Sequence, residues 1–259
     1  MSYKDILVLL DAGPDLETRM DAAIDLCRRF DAQLLGVDVS TPQAFSSGFS
    51  EKARHLQDIF EERINAASVI GEYRAAGSRT SSWKDFYTHY TDLVVASQSG
   101  EESEHIAAKG IPDEIVASAG VPVIVLPGGW TPATLGESVV IAWNSTREAT
   151  RALHDALPIL RQAARVTIFE HAPPSDHVDD APKLVQTHLA HHGIEAEIFT
   201  WPDDANAEPI DTLFTCIDRQ RADLIVAGGF GHPKVIENLF GSMSRELLHN
   251  WTVPVLMSH

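Results

Sequence analysis

The chain has 259 residues, and its 20 Lys and Arg residues against 37 Asp and Glu residues give a formal charge of −17. A surface this acidic repels nucleic acid and anionic membranes, so we expect the chain to bind neither. It has no apolar run long enough to span a bilayer and no secretory N-terminus, so we expect a cytoplasmic protein. Cys27 and Cys216 are far apart in helical apolar patterns, which favours buried thiols in a reducing compartment.

Strands and helices alternate along the first half. Short apolar runs predict strands at 6–10, 33–39, 69–74, 93–96 and 121–126. Apolar residues at helical spacing predict helices at 16–27, 50–68, 83–90 and 112–119. The run at 6–10 is apolar throughout, which is typical of a central strand in a parallel sheet. Residues 127–132 are rich in Gly and Pro and are predicted to form a linker.

The second half repeats this plan at an offset of 131 to 133 residues. The matching segments are Asp11 with Asn144, 32–34 with 164–166, 92–96 with 223–227, and 121–123 with 253–255. Its first helix is predicted to follow a Thr146 cap and to bury Ala149, Ala152, Leu153, Ala156, Leu157 and Leu160. We therefore predict two tandem α/β domains, residues 1–130 and 131–259, each a doubly wound parallel five-stranded sheet with helices on both faces.

The most specific motif lies near the C-terminus, between the predicted strands at 224–227 and 253–257. It consists of Gly228, Gly231 and Gly241, spaced Gly-x2-Gly-x9-Gly, followed by Ser242, Met243 and Ser244, with His232 inside the loop. Apolar spacing from Met243 to Trp251 predicts a helix starting there. Glycines allow a ligand to approach the backbone, and free N–H groups at a helix N-terminus favour an anion. The pattern therefore predicts a phosphate site.

This motif, in its strand–loop–helix–strand setting, resembles the ATP-binding signature of the universal stress protein family. It is neither a Walker motif nor the dinucleotide GxGxxG pattern. The resemblance covers nearly the whole chain, more strongly at 138–259 than at 1–127. It implies that the C-terminal half binds ATP, with or without Mg²⁺, as a stress-response protein. It also implies that the two halves form an internal pseudo-dimer, and it leaves open a homodimer of the whole chain.

The resemblance also assigns roles to individual residues. The glycines, Ser242 and Ser244 would hold phosphates, while Asn144 and the backbone of His171 would lie near the nucleoside. Asn144 departs from the aspartate that the family usually has, so it keeps hydrogen-bonding capacity but lacks the charge. In the first half, Ile111 and Pro112 stand where the second half has Ser242 and Met243, and the loop carries three glutamates. The nucleotide site of the first half is therefore expected to be degenerate.

Other interpretations remain open at this point. The glycines alone are compatible with an ordinary turn, and the cleft is compatible with a nucleotide-free interaction module. A slow nucleotide-cleaving enzyme would need a base near the loop, where His232 and Glu237 are the candidates. No catalytic triad, poised cysteine or metal-binding pair of carboxylates emerges, so we assign neither catalytic nor metal residues. His188, His191 and His192 are expected on a solvated helix face.

Overall fold

The computed structural model describes residues 2–39, 51–75, 88–98, 111–131, 134–170, 181–200, 209–229 and 251–259. The chain divides into two compact units, built mainly on Met1–Pro132 and on Ala133–Leu247 with Val253–His259. Each unit is an α/β domain around a parallel sheet. In the described part of the chain, no helix is both long and apolar enough to cross a membrane.

The first unit has the strand order β3-β2-β1-β4-β5, and neighbouring strands are parallel. Its strands are β1 (Asp5–Leu10), β2 (Gln33–Asp38), β3 (Gly71–Ala75), β4 (Leu93–Ser97) and β5 (Val123–Leu126). Its described helices are α1 (Leu16–Phe30), α2 (Glu51–Ala67) and α3 (Ile111–Ser118). These elements match the predicted ones to within a few residues, whereas most of the helix predicted at 83–90 lies outside the described residues.

The second unit has the equivalent order β8-β7-β6-β9-β10, again with parallel neighbours. Its strands are β6 (Ser138–Trp143), β7 (Arg165–Glu170), β8 (Glu197–Thr200), β9 (Leu224–Gly228) and β10 (Val255–Ser258). Its described helices are α4 (Arg147–Leu160), α5 (Ala181–His191) and α6 (Pro209–Gln220). This is the predicted doubly wound class.

The apolar patterns of the sequence correspond to buried surfaces. Every residue from Ile6 to Leu10 is at most 3% exposed, as expected for a strand covered on both faces. All six apolar residues predicted for the core face of α4 are buried. The thiols of Cys27 and Cys216 are also buried, and desolvation raises the pKa of each to about 12. Both cysteines are therefore core residues and poor nucleophiles.

The Val-Pro-Val segments enter the last strand of each unit in the same way. Pro122 O accepts from Val94 N–H at 3.0 Å, and Pro254 O accepts from Ile225 N–H at 2.9 Å. Proline has a carbonyl but no N–H, so it suits the position just before a strand, where only the carbonyl is hydrogen-bonded to the neighbouring strand. The last strands consequently begin one residue after each proline, later than the sequence predicted.

A carboxylate just before the fourth strand of each unit holds the start of the first strand. In the first unit, Asp92 Oδ2 accepts from the N–H groups of Lys4 at 2.7 Å and Asp5 at 3.1 Å. In the second unit, Asp223 accepts from the N–H groups of Gly136, Glu137 and Ser138 and from the hydroxyl of Thr134. Charge-assisted bonds of this kind are stronger than neutral ones, so this contact fixes where β6 enters the sheet.

We predict that Asp223→Ala lowers the free energy of unfolding by about 2–3 kcal/mol, because it leaves three backbone N–H groups without their acceptor. Urea denaturation followed by circular dichroism measures the change. Glu195→Ala removes an exposed carboxylate from the same unit and serves as the control, with an expected change below about 0.5 kcal/mol. Equal effects of the two substitutions would contradict this role for Asp223.

Candidate functional site

The candidate site lies at the carboxyl ends of β6 and β9. In the sheet of the second unit, β6 lies between β7 and β9. The chain continues from β6 to β7 on one side, so the topological switch point lies on the other side, between β6 and β9. Ala142 pairs with Ala227 in the parallel ladder, which brings Asn144 and Gly228 to the same edge of the sheet. In doubly wound sheets, this is the edge at which ligands bind.

Gly228 allows α4 to begin directly against the end of β9. A Cβ added to Gly228 would lie 2.5 Å from the backbone nitrogen of Ala149 and 2.6 Å from the carbonyl carbon of Glu148. Both atoms belong to helix backbone, so neither can move aside like the tip of a flexible side chain. The sequence interpretation assigned this glycine to the approach of a ligand, but the group that approaches it in the structure is α4. A direct ligand contact at Gly228 stays a prediction.

Asn144 shapes the turn between β6 and α4. Its Oδ1 accepts from the backbone N–H of Thr146 at 3.3 Å and from the Thr146 hydroxyl at 2.7 Å. The oxygen must face Thr146, because a backbone N–H can only donate. Ser145 between them has φ of 56°, in the left-handed region. Asn144 thus uses its oxygen inside the turn, and its Nδ2 is the group that remains to donate to a ligand.

Thr146 caps α4 as the sequence predicted. Its Oγ1 accepts from the N–H of Ala149 at 3.2 Å, in the extended conformation usual for an N-cap. The hydroxyl therefore accepts from the helix and donates to Asn144 at the same time. This links the strand end, the turn and the first helical turn in one hydrogen-bonded chain.

Glu148 is a buried carboxylate that the sequence interpretation missed. It is 7% exposed, lies in the first turn of α4 beside Gly228, and accepts from Nε and Nη2 of the exposed Arg147 at 3.2 and 3.1 Å. An acidic residue suits a helix N-terminus, but it also opposes binding of a second anion there. The only feature of the sequence that indicates this role is the position of Glu148, two residues after the Thr146 cap.

The remaining predicted site residues are not described by the structure. These are His171, Gly231, His232, Gly241, Ser242, Met243 and Ser244, together with most of the helix predicted after Met243. His171 follows Glu170, the last residue of β7, in sequence. The structure therefore brings together Asn144 and Gly228, and the phosphate-binding roles of the others stay predictions.

The corresponding edge of the first unit is filled by an arginine. Arg19 on α1 is 2% exposed, and its guanidinium reaches the ends of both β1 and β4. Its Nε donates to Leu9 O at 2.6 Å, Nη1 donates to Ser97 Oγ at 2.9 Å, and Nη2 donates to Asp11 Oδ1 at 2.8 Å. The repeat aligns Arg19 with Ala152 at the offset of 133, so the second unit has a methyl group where the first has a buried cation.

Solved structures of universal stress proteins share this fold over the whole chain. One from Archaeoglobus fulgidus has a TM-score of 0.76 at 16% identity, covering 98% of this chain and 97% of that protein. A putative universal stress protein from Pseudomonas aeruginosa has a TM-score of 0.65 at 14% identity, covering 99% and 93%. The chain therefore has the α/β fold of universal stress proteins, as its motif led us to expect.

The same fold also occurs in a different setting. The cytoplasmic domain of a prokaryotic cation chloride cotransporter has a TM-score of 0.55 at 11% identity, covering 98% of this chain and 95% of that one. No family model matches the sequence, and no curated protein is significantly similar to it. Because one fold supports several functions, the function has to be argued from the site.

We predict that Gly228→Ala destabilises the second unit by about 1–3 kcal/mol, because the new methyl group overlaps the backbone of α4. Thermal and urea unfolding measure the change. Gly128→Ala is the matched control, since a Cβ there meets no atom within 4 Å and its φ is not in the left-handed region. If Gly228→Ala is as well tolerated as the control, the close approach of α4 is wrong.

We also predict that Arg19→Met lowers the unfolding free energy by about 2–4 kcal/mol, because it leaves Asp11 and a buried carbonyl without their cation. The partial exposure of Asp11, 25% of its side chain, keeps the expected loss below the largest values for buried pairs. Arg28→Met on the exposed face of α1 is the control. A loss no greater than that of Arg28→Met would contradict a structural role for Arg19.

Proposed function

We propose that this chain is a cytoplasmic universal stress protein that binds one ATP in its second unit as a regulatory ligand. The observation that carries the proposal is the meeting of Asn144 and Gly228 at the switch point of β6 and β9. Gly228 is also the first residue of the glycine-spaced motif. The motif therefore starts at the sheet edge where doubly wound folds bind ligands.

The polarity of the described groups favours a particular orientation of the nucleotide. Asn144 presents an amide N–H₂ donor, because its oxygen is held by Thr146. A donor suits the acceptor atoms of an adenine ring or ribose. Glu148, buried at the start of α4, repels phosphate from that helix N-terminus. We therefore place the nucleoside near Asn144 and the phosphates against the glycine and serine segment from Gly231 to Ser244.

The first unit supports the proposed stoichiometry of one nucleotide per chain. Arg19 there bonds to the end of β1 and to Ser97, the residue that aligns with Gly228. Its guanidinium lies within the sheet edge that a nucleotide would need to reach. We propose that this edge is closed by the protein's own side chain, in addition to the acidic loop expected from the sequence.

Isothermal titration of the full chain with ATP tests the proposal. We expect one site per chain, and we expect Gly231→Val and Ser242→Ala to weaken binding. Loss of one hydrogen bond in Asn144→Ala is expected to weaken binding about three- to tenfold. Asp11→Asn changes the equivalent residue of the first unit and is the matched control, with unchanged affinity. Circular dichroism verifies that each variant is folded.

Mass spectrometry of ligand released from the purified chain separates this proposal from a nucleotide-free domain. An adenine nucleotide at about one per chain is expected. The proposal is overturned if no nucleotide is released and millimolar ATP gives no binding, or if binding is the same in all three site variants. Phosphate release above the buffer rate with Mg²⁺ would instead indicate a hydrolase.

A further inference from the structure

Three histidine rings are in contact between α4 and the C-terminal end of α5. His154 on α4 contacts His188 on α5 with ring centroids 5.1 Å apart, and His188 contacts His192, just after α5, at 4.7 Å. Both contacts are edge-on, at interplanar angles of 63° and 74°. The sequence interpretation placed His188 and His192 on a solvated helix face and did not include His154. The structure instead brings them together as one group, the histidine cluster His154–His188–His192.

The hydrogen bonds of the outer two rings fix where their protons lie. His192 Nδ1 is 3.1 Å from Arg161 Nη2, and since a guanidinium only donates, this nitrogen must be an unprotonated acceptor. His154 Nδ1 is 2.8 Å from Thr150 O, and since a carbonyl only accepts, this nitrogen must carry the proton. The bond of His192 therefore requires an unprotonated Nδ1, whereas the bond of His154 is the same in a neutral and in a protonated ring. A second proton on His192 Nδ1 would break its bond and face the fixed charge of Arg161.

The central ring is the least suited to carry a charge. His188 Nε2 is buried and has no hydrogen-bond partner among the described residues. An imidazolium there would hold a buried N–H without an acceptor, which is costly. In agreement, burial lowers the pKa of His188, and the nearby charges of His154, His192 and His191 lower it further.

The charged groups on the elements around the cluster are of both signs. The titratable groups on these elements, apart from the cluster itself, are Arg147, Glu148, Arg151 and Asp155 on α4 with Arg161 just after it, Lys183 and His191 on α5, Arg165 and Glu170 on β7, and Glu197 on β8. Asp155 accepts from Arg151 at 2.8 Å, so this carboxylate already faces a cation. Among the described residues, no group of three or more His, Cys, Asp or Glu side chains is arranged to hold a metal ion.

We propose that the histidine cluster is a pH-sensitive latch that holds α5 on α4 at neutral pH and releases it in acid. Protons taken up by the cluster put like charges on rings that are in contact, next to Arg161. Helix α5 packs on β7 and β8 through buried residues that include Val185 and Leu189. Release of α5 exposes this apolar surface, so the second unit changes its surface when the surrounding pH falls.

The direction of the effect follows from proton linkage. Because His188 has a lowered pKa in the folded state, the opened state binds more protons once the pH falls below about 6.5, the ordinary histidine value. The latch is therefore stable above pH 6.5 and weakens as the pH falls. Each histidine that gains a proton on opening shifts the opening equilibrium by up to about tenfold per pH unit.

Hydrogen exchange of the full chain at pH 7.5 and pH 5.5, corrected for the intrinsic rate, tests the latch. We expect protection of the α5 amides to fall by about three- to tenfold between the two pH values, since His188 contributes at most about tenfold over the one pH unit below 6.5. Protection of α6 in the same unit should change much less. His188→Gln keeps a polar side chain that does not titrate, and it should remove most of the pH dependence of α5.

His55→Gln replaces an exposed histidine of α2 in the first unit and is the matched control, which should leave the pH dependence of α5 intact. If His188→Gln fails to fold, NMR titration of the His188 ring in the unaltered chain decides the question. A pKa at or above 6.5 overturns the latch, as does a pH dependence of α5 that persists in folded His188→Gln. Equal loss of protection in α5 and α6 would also overturn it, since general acid unfolding would then explain the result.

Discussion

Helix α4 starts against the backbone of β9, and this contact depends on the absence of a side chain at Gly228. The contact sets the distance between the sheet edge and the first turn of the helix. That distance in turn places the Asn144 turn and the backbone of Glu148 beside the end of β9. The candidate site is therefore built on packing of helix and strand backbone, which is less yielding than contact between side chains.

The two units follow the same plan, but they differ at this sheet edge. In the first unit a serine ends β4 and Arg19 bonds to it, while Asp11 pairs with the same guanidinium. In the second unit the aligned residues are Gly228, Ala152 and Asn144. Three substitutions at aligned positions thus replace a buried cation and its partners by a close approach of the helix and an uncharged turn. This physical difference underlies our proposal that a single unit binds nucleotide.

Helix α4 also contributes to the second feature of this unit, the histidine cluster. Its N-terminus meets Gly228, and two turns later His154 contacts the ring of His188 on α5. The chain is strongly acidic overall, yet Arg161 and four histidines lie together at this place. A proton added to one of these rings in acid places a positive charge beside other basic groups. The local arrangement therefore gives the second unit a response to pH that its net charge does not suggest.

The sequence by itself determined the doubly wound α/β class and the helix that follows the Thr146 cap. Those features depend on short-range patterns, namely apolar runs, helical spacing and capping residues, which are visible along the chain. The matching offsets also identified which residues of the two halves correspond, and the fold comparison supports the family resemblance carried by the glycine motif.

Only the tertiary structure decided what several of these residues touch. The backbone of α4 lies against Gly228, and the side-chain oxygen of Asn144 accepts hydrogen bonds within its own turn. Glu148 is buried, and Arg19 donates to Ser97, which is 78 residues away in the chain. The tertiary structure also joined His154 to His188 and His192, which a reading of one helix at a time could not do. The reason is physical: periodicity specifies which face of an element is apolar, whereas polar contacts depend on how separate elements pack together.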